Sequence, residues 1–211
     1  EYHSMSNISM TTSKRNAIVT VMLISAFVSM LNQTILNTAF PAIIKGLNIT
    51  ETTAQWLITG FMLVNGIMIP LTAFLMDKYS TRHLYIFSMA IFLIGSIVAA
   101  FSPTFTILMI SRIIQAIGAG ILLPLMQFTV FTLFPAEQRG FAMGLAGVVV
   151  QSAPAIGPTL TGLFVDLFSW RMPFYLVSAI AAVAFILGFF FVENNTKTKD
   201  IVLDKISVVY S

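Results

Sequence analysis

One charged residue stands deep inside a long apolar stretch of this chain. Arg112 lies in the segment SRIIQAIGAG, three residues before Gln115, so the two side chains share one face of a helix. Burying an arginine in a bilayer costs at least about 2.5 to 3.5 kcal/mol, so we expect this side chain to face other protein segments and to have a partner. A guanidinium cannot release a proton, and its expected role is to tune a neighbouring carboxylate or water. A structural hydrogen-bond hub and snorkelling toward the membrane surface are the alternatives.

Serine and amide side chains cluster in another apolar stretch, near the start of the chain. Ser25, Ser29, Gln33 and Asn37 recur every four residues along one face, with Asn32 beside them. Exposing so many polar groups of one span to lipid would be costly, so they either join helices or line a water-filled cavity. We expect a substrate cavity whose wall includes Gln33 and Asn37 of this stretch and, from later segments, Gln127 and Gln151.

Composition identifies the environment in which these residues work. The chain is 57% hydrophobic and 9% charged, whereas soluble domains are about 25% charged, so it is a membrane protein. Cysteine is absent and histidine occurs twice, which excludes thiolate chemistry and a histidine-based metal cluster. The basic residues lie between apolar stretches, so they are topology signals rather than a nucleic-acid surface. No cofactor is expected.

Six apolar segments are each close to the roughly 20 residues that cross a bilayer. They lie at about 17–40, 54–76, 84–102, 105–133, 141–165 and 173–192. Short connections predict a compact all-α bundle. A cleaved signal peptide is an alternative for the first segment, but the run is long and continues to Pro41 without a convincing cleavage site.

The distribution of Lys and Arg predicts the orientation of the bundle. Most basic residues outside the spans fall on the side of the amino terminus, so both ends of the chain are expected in the cytoplasm, with the bundle in the cell membrane. We divide the chain into a polar tail (1–16), a six-helix domain (17–192) and a cytoplasmic linker that turns apolar again (193–211). We interpret this apolar end as the start of a seventh helix, which makes the chain the N-terminal half of a longer protein.

The segment from Gly140 to Gly162 combines span-like hydropathy with small residues and prolines. Seven positions fall at alternating three- and four-residue steps on one helical face: Gly140, Gly144, Gly147, Gln151, Pro154, Pro158 and Gly162. Small residues allow two helices to approach closely, and prolines bend a spanning helix when neighbours satisfy the freed carbonyls. The face therefore predicts a close-packed, moving helix, with ordinary membrane packing as the alternative.

Four stretches resemble signatures of the major facilitator superfamily, in the fourteen-span drug/proton antiporter group. The fifth segment resembles the antiporter signature through Gly147, Gly157, Pro158 and Gly162. The first segment matches its signature at Thr34, Asn37 and Pro41. The loop after the second segment matches at Leu75, Asp77, Lys78 and Arg82 but lacks the usual glycines. The fourth segment matches through Arg112, Gln115, Gly118 and Gly120.

The resemblance implies a fold, a function and roles for these residues. It implies six helices in a 3+3 inverted repeat, forming one half of a transporter that exports amphipathic drugs by alternating access, in exchange for protons. Asp77 is expected to latch onto a cationic group or helix terminus of the other half in one state, with headgroup anchoring of the loop as the alternative. Arg112 and Gln115 are expected to take part in proton coupling.

One departure bears on that coupling. Many relatives carry aspartate where this chain has Asn32, and an amide cannot exchange a proton near neutral pH. Asn32 is assigned to the coupling region, but any coupling carboxylate must then lie elsewhere. A facilitator without proton coupling, or a non-transporting half, remains open.

Other function classes lack their residues. An aquaporin-type channel requires two Asn-Pro-Ala motifs, and none is present. An intramembrane serine protease requires a buried histidine, whereas His3 and His83 lie outside the spans.

Overall fold

The computed structural model describes residues 12–192, and these residues form six helices joined by short loops. All six are long and apolar enough to cross a membrane, which confirms the expected number of spans. The expected polar start and the expected seventh helix lie, wholly or largely, outside the described residues. The helices are α1 (Thr12–Leu47), α2 (Glu51–Lys78), α3 (Thr81–Ala100), α4 (Phe105–Leu133), α5 (Ala136–Leu167) and α6 (Met172–Phe191).

Local chemistry explains where several helices begin. The hydroxyl groups of Thr50, Ser80 and Thr104 each accept a hydrogen bond from the amide three residues later, at the starts of α2, α3 and α4. Asn48 follows α1 with a φ of 53°, a left-handed conformation that asparagine tolerates better than most residues. These caps allow the chain to reverse within a few residues.

A side chain of α2 compensates for a proline in α4. Pro124 has no amide proton, so the carbonyl of Gly120 lacks its helical donor. The hydroxyl of Thr72, fully buried on α2, lies 3.1 Å from that carbonyl and 2.7 Å from the carbonyl of Met68. The proline therefore stays in a continuous helix because a neighbouring helix supplies a donor.

The helix contacts repeat when α1, α2 and α3 are exchanged for α4, α5 and α6. Thus α2 packs along α4 as α5 packs along α1, while α3 contacts α4 and α6 contacts α1. Because successive spans alternate in direction, three helices followed by three more give the second triplet the opposite orientation. This pattern is one half of a major facilitator fold.

Glycines set the closest approaches between these helices. A β-carbon on Gly118 would lie 2.7 Å from the carbonyl oxygen of Ser88, and one on Gly95 would lie 3.0 Å from the backbone nitrogen of Gln115. Gly120 similarly faces α2, where a β-carbon would lie 2.5 Å from that of Met68. The two glycines of the α4 signature therefore serve different interfaces, one with α3 and one with α2.

The small-residue face of α5 differs from the expectation. A β-carbon added to Gly140, Gly144 or Gly147 would meet nothing within 4 Å among the described residues, so this part of the face is not close-packed there. The buried face lies beside it, at Ala142, Ala146, Val150, Ala153, Gly157 and Thr161. One residue along a helix corresponds to about 100° of rotation, and Gly157, one residue before Pro158, is the glycine that packs tightly against Thr34 of α1.

Candidate functional site

Four side chains from three helices form a polar cluster inside the bundle. Asn32 of α1 and Gln115 of α4 exchange hydrogen bonds through their amides, at 3.3 and 3.4 Å. The amide nitrogen of Gln115 also donates to the hydroxyl of Ser96 on α3 at 3.1 Å, and its oxygen accepts from Arg112 at 3.3 Å. Gln115 therefore joins the cluster, and all four side chains are buried.

Backbone packing explains how α3 reaches Gln115. Gly95 precedes Ser96 and lies against the backbone of Gln115, where any side chain would force the helices apart. The serine hydroxyl also donates to the carbonyl of Phe92 within α3 at 2.8 Å, which orients its oxygen as an acceptor. Small residues on α3 therefore create room for a polar contact in an apolar core.

Only part of the polar face expected on α1 points into the bundle. Ser25, Ser29 and Asn32 are buried, whereas Gln33 is half-buried and Asn37 is exposed. Each four-residue step turns a helix about 40° past a full revolution, so a run of such steps leaves the interface by its third member. Asn32 follows Ser25 by seven residues, which is close to two full turns, so it returns to the buried side.

The Arg112 guanidinium is nearly sealed from solvent. Its side chain is 2% exposed, and its carbon Cζ lies 4.2 Å from the centre of the Phe61 ring on α2. The Nε–H of Arg112 has no hydrogen-bond partner among residues 12–192, and Arg112 forms no ion pair within that range. The carboxylates of this range all lie at helix ends, at Glu51, Asp77, Glu137 and Asp166.

A cavity of about 110 Å³ lies between α1, α4 and α5. Two of the predicted cavity residues, Gln127 and Gln151, line it, and the other two, Gln33 and Asn37, are not part of its wall. Its remaining lining is apolar: Met30, Leu123, Met126, Ala146, Gly147 and Val150. Two amides in an apolar wall suit a ligand with both apolar surface and hydrogen-bonding groups, and methionines adapt readily to different shapes.

The loop signature lies at the C-terminal end of α2. Asp77 and Lys78 are exposed at the last turn of α2, and Asp77 forms no ion pair in the described part of the chain. Lys78 lies over the ring of Phe74 at 4.7 Å, and Arg82 over the ring of Phe189 of α6 at 5.2 Å. Asp77 is thus available to a partner outside these residues.

Sequence patterns did not single out several connecting residues. Phe61 is one of many phenylalanines, and Ser96 one of many serines, so neither carries a local signal. Tyr85 links α3 to α1 through Ser25 at 2.6 Å and to α6 through the carbonyl of Ala184 at 3.0 Å. Its ring packs tightly against Gly188.

The loop before α6 contains a tryptophan and an arginine that pack against the bundle. Trp170 is 7% exposed and packs on Phe174. Arg171 donates hydrogen bonds to the carbonyls of Ala100 and Ser102 at the end of α3, at 3.2 and 2.5 Å. The pair therefore connects two helix ends.

No group of three or more potential metal ligands occurs between residues 12 and 192. The site's chemistry is that of hydrogen bonds, one buried cation and apolar surface.

Comparison with known proteins covers nearly the whole chain. A family model described as "Major Facilitator Superfamily" matches residues 22–206. The chain is 49% identical to the uncharacterized MFS-type transporter YcnB of Bacillus subtilis, over 93% of this chain and 42% of the relative. It is 38% identical to the lincomycin resistance protein LmrB of the same organism, over 90% of this chain and 40% of the relative.

A third relative is the multidrug transporter protein MdtP of Bacillus subtilis, which is 32% identical over 82% of this chain and 32% of the relative. The chain thus spans about two fifths of the length of YcnB and LmrB and about one third of MdtP.

Proposed function

The chain belongs to the major facilitator superfamily, and on that premise we propose that it forms the N-terminal half of a transporter that exports amphipathic drugs or other toxic compounds. The observation that carries this proposal is the cavity between α1, α4 and α5, in which Gln127 and Gln151 interrupt an apolar wall. Such a wall can bind the apolar body of a compound while the amides orient its polar groups. LmrB is named a lincomycin resistance protein and MdtP a multidrug transporter protein, and both names support the proposed export function.

Alternating access requires elements that hold one state and release it. Asp77 is exposed at the end of α2, and its carboxylate suits a latch to a cationic group or helix terminus on the other half of the transporter. The exposed glycine face of α5, from Gly140 to Gly147, offers a surface without side chains that another helix could follow. Both features lie on helices that bury little of their surface within the described bundle.

Exchange for protons is the coupling that we propose first. Arg112 and Gln115 belong to the buried cluster, and a permanent cation there would lower the proton affinity of a nearby carboxylate. Since the carboxylates of residues 12–192 lie at helix ends, this proposal assigns the titrating carboxylate to the other half, where it would approach Arg112 only in a state of the transport cycle in which these helices separate. We also propose a cell-membrane location with a cytoplasmic amino terminus, on the distribution of Lys and Arg between the two sides.

Facilitated export without protons is the second candidate. Asn32 favours it, because an amide occupies a buried position in the cluster and cannot titrate.

Both candidates are tested with the complete gene product in sealed proteoliposomes that contain a pH-sensitive dye. Lincomycin and a set of uncharged and cationic amphipathic compounds would be added, and compound and proton movement recorded together. Proton movement that requires the compound supports antiport. Compound movement without proton movement supports the facilitator, and movement of neither contradicts the transport proposal. Liposomes without protein, and proteoliposomes treated with a protonophore, are the controls.

A further inference from the structure

Among residues 12–192, the Arg112 guanidinium lacks the counter-charge that a buried cation ordinarily has. A guanidinium stays protonated in proteins, and a charge in an apolar interior is normally paired. The side chains that contact Arg112, or contact it through Gln115, come from α1, α2, α3 and α4: Asn32, Phe61, Ser96 and Gln115. None of these four ionises near neutral pH.

This cation is also enclosed by the helices of the bundle. Arg112 is 2% exposed with only residues of this chain around it. A carboxylate from another part of the transporter could reach it only if these helices separated. The group that balances the charge is therefore to be found among its present neighbours.

Phe61 is the neighbour whose electronic structure fits. The face of an aromatic ring is electron-rich, and a cation within about 6 Å of its centre is attracted to it, more strongly where water is excluded. The distance here is 4.2 Å, and the ring is 3% exposed. The adjacent Gly60 has no side chain, which leaves room for Met109 of α4 and lets α2 pack closely against α4 beside this ring.

We propose that Phe61 is a positioning residue for Arg112, and that its ring takes the place of a carboxylate as counter-group. The ring holds the guanidinium at Gln115, and Gln115 in turn pairs with Asn32. The cluster then carries a permanent charge that does not change with pH. The part of the inference that concerns transport rests on the proposed function.

Asn32 provides a direct test, because Asn32 and Arg112 both bind the side-chain oxygen of Gln115. A carboxylate introduced by Asn32→Asp would lie within reach of the guanidinium and could replace the ring. Four variants of the complete gene product are compared: Phe61→Leu, Phe61→Leu with Asn32→Asp, Phe174→Leu, and Phe174→Leu with Asn32→Asp. Phe174 is the matched control, since it is a fully buried ring of α6 that packs on Trp170.

We expect Phe61→Leu to lower the initial transport rate by about tenfold, the equivalent of about 1.4 kcal/mol. Adding Asn32→Asp should recover most of that rate and make it depend on pH, because aspartate titrates. The same addition should not recover the Phe174→Leu variant. No recovery, or equal recovery of both leucine variants, would mean that Phe61 only fills space.

Unfolding temperatures of the purified proteins give a readout that does not require transport. Recovery by Asn32→Asp confined to the Phe61→Leu variant supports the pairing even if the unmodified protein moves no compound, a result that would contradict the proposed function alone. Absence of that recovery in the unfolding temperatures as well would overturn the pairing itself.

Discussion

Replacing Gln115 with methionine should destabilise the bundle far more than the same change at Gln127. Methionine keeps the length of the side chain and its apolar stem but removes every hydrogen bond of the amide. In the structure, Gln115 makes two bonds with Asn32, one with Ser96 and one with Arg112. Gln127 lies on the same helix, is exposed, and lines the cavity.

The magnitude follows from the kinds of bond that are lost. Hydrogen bonds between neutral side chains in a membrane bundle average about 0.6 kcal/mol each, and a bond to a charged group contributes about 1.5 kcal/mol or more. The four bonds together predict a loss of about 3 kcal/mol in the free energy of unfolding. For a cooperative unit of the size of residues 12–192, that loss corresponds to a fall of about 6 to 12 °C in unfolding temperature.

The assay is thermal unfolding of the purified complete gene product in mild detergent, at one scan rate for all variants because unfolding of such proteins is often irreversible. Gln127→Met is expected to shift the midpoint by less than about 2 °C, as surface changes ordinarily do. Equal shifts for the two variants would refute the conclusion that Gln115 joins three helices.

Three further changes test other contacts. Arg112→Ala should abolish export, because it removes the cation of the cluster, while membrane yield stays unchanged; normal dye export by this variant would end its functional assignment. Gly157→Leu should block transport and lower the unfolding temperature, because the new side chain overlaps Thr34 of α1, whereas Gly66→Leu, at a position with open space, should leave the unfolding temperature unchanged. Thr72→Val removes the donor to the carbonyl freed by Pro124 and should cost about 1 to 2 kcal/mol in thermal unfolding; an unchanged midpoint would show that this carbonyl needs no donor.

Hydropathy and periodicity determined the coarse architecture because both are properties of short segments. The six spans, the interior position of Arg112 and the helical face that Arg112 shares with Gln115 could all be read without knowledge of neighbouring helices. The family resemblance on four signatures agrees with the family match over residues 22–206.

The sequence by itself therefore determined how many helices cross the membrane and which of them carry polar residues, since an apolar solvent selects for these features segment by segment. Only the tertiary structure decided which side chains meet. One residue of offset turns a helix face by about 100°, and so Asn32 rather than Gln33 reaches Gln115, and Gly157 rather than Pro158 packs on α1. The contact of Phe61 with Arg112 depends on how closely α2 approaches α4, a distance that Gly60 and Met109 set together across two helices far apart in the chain.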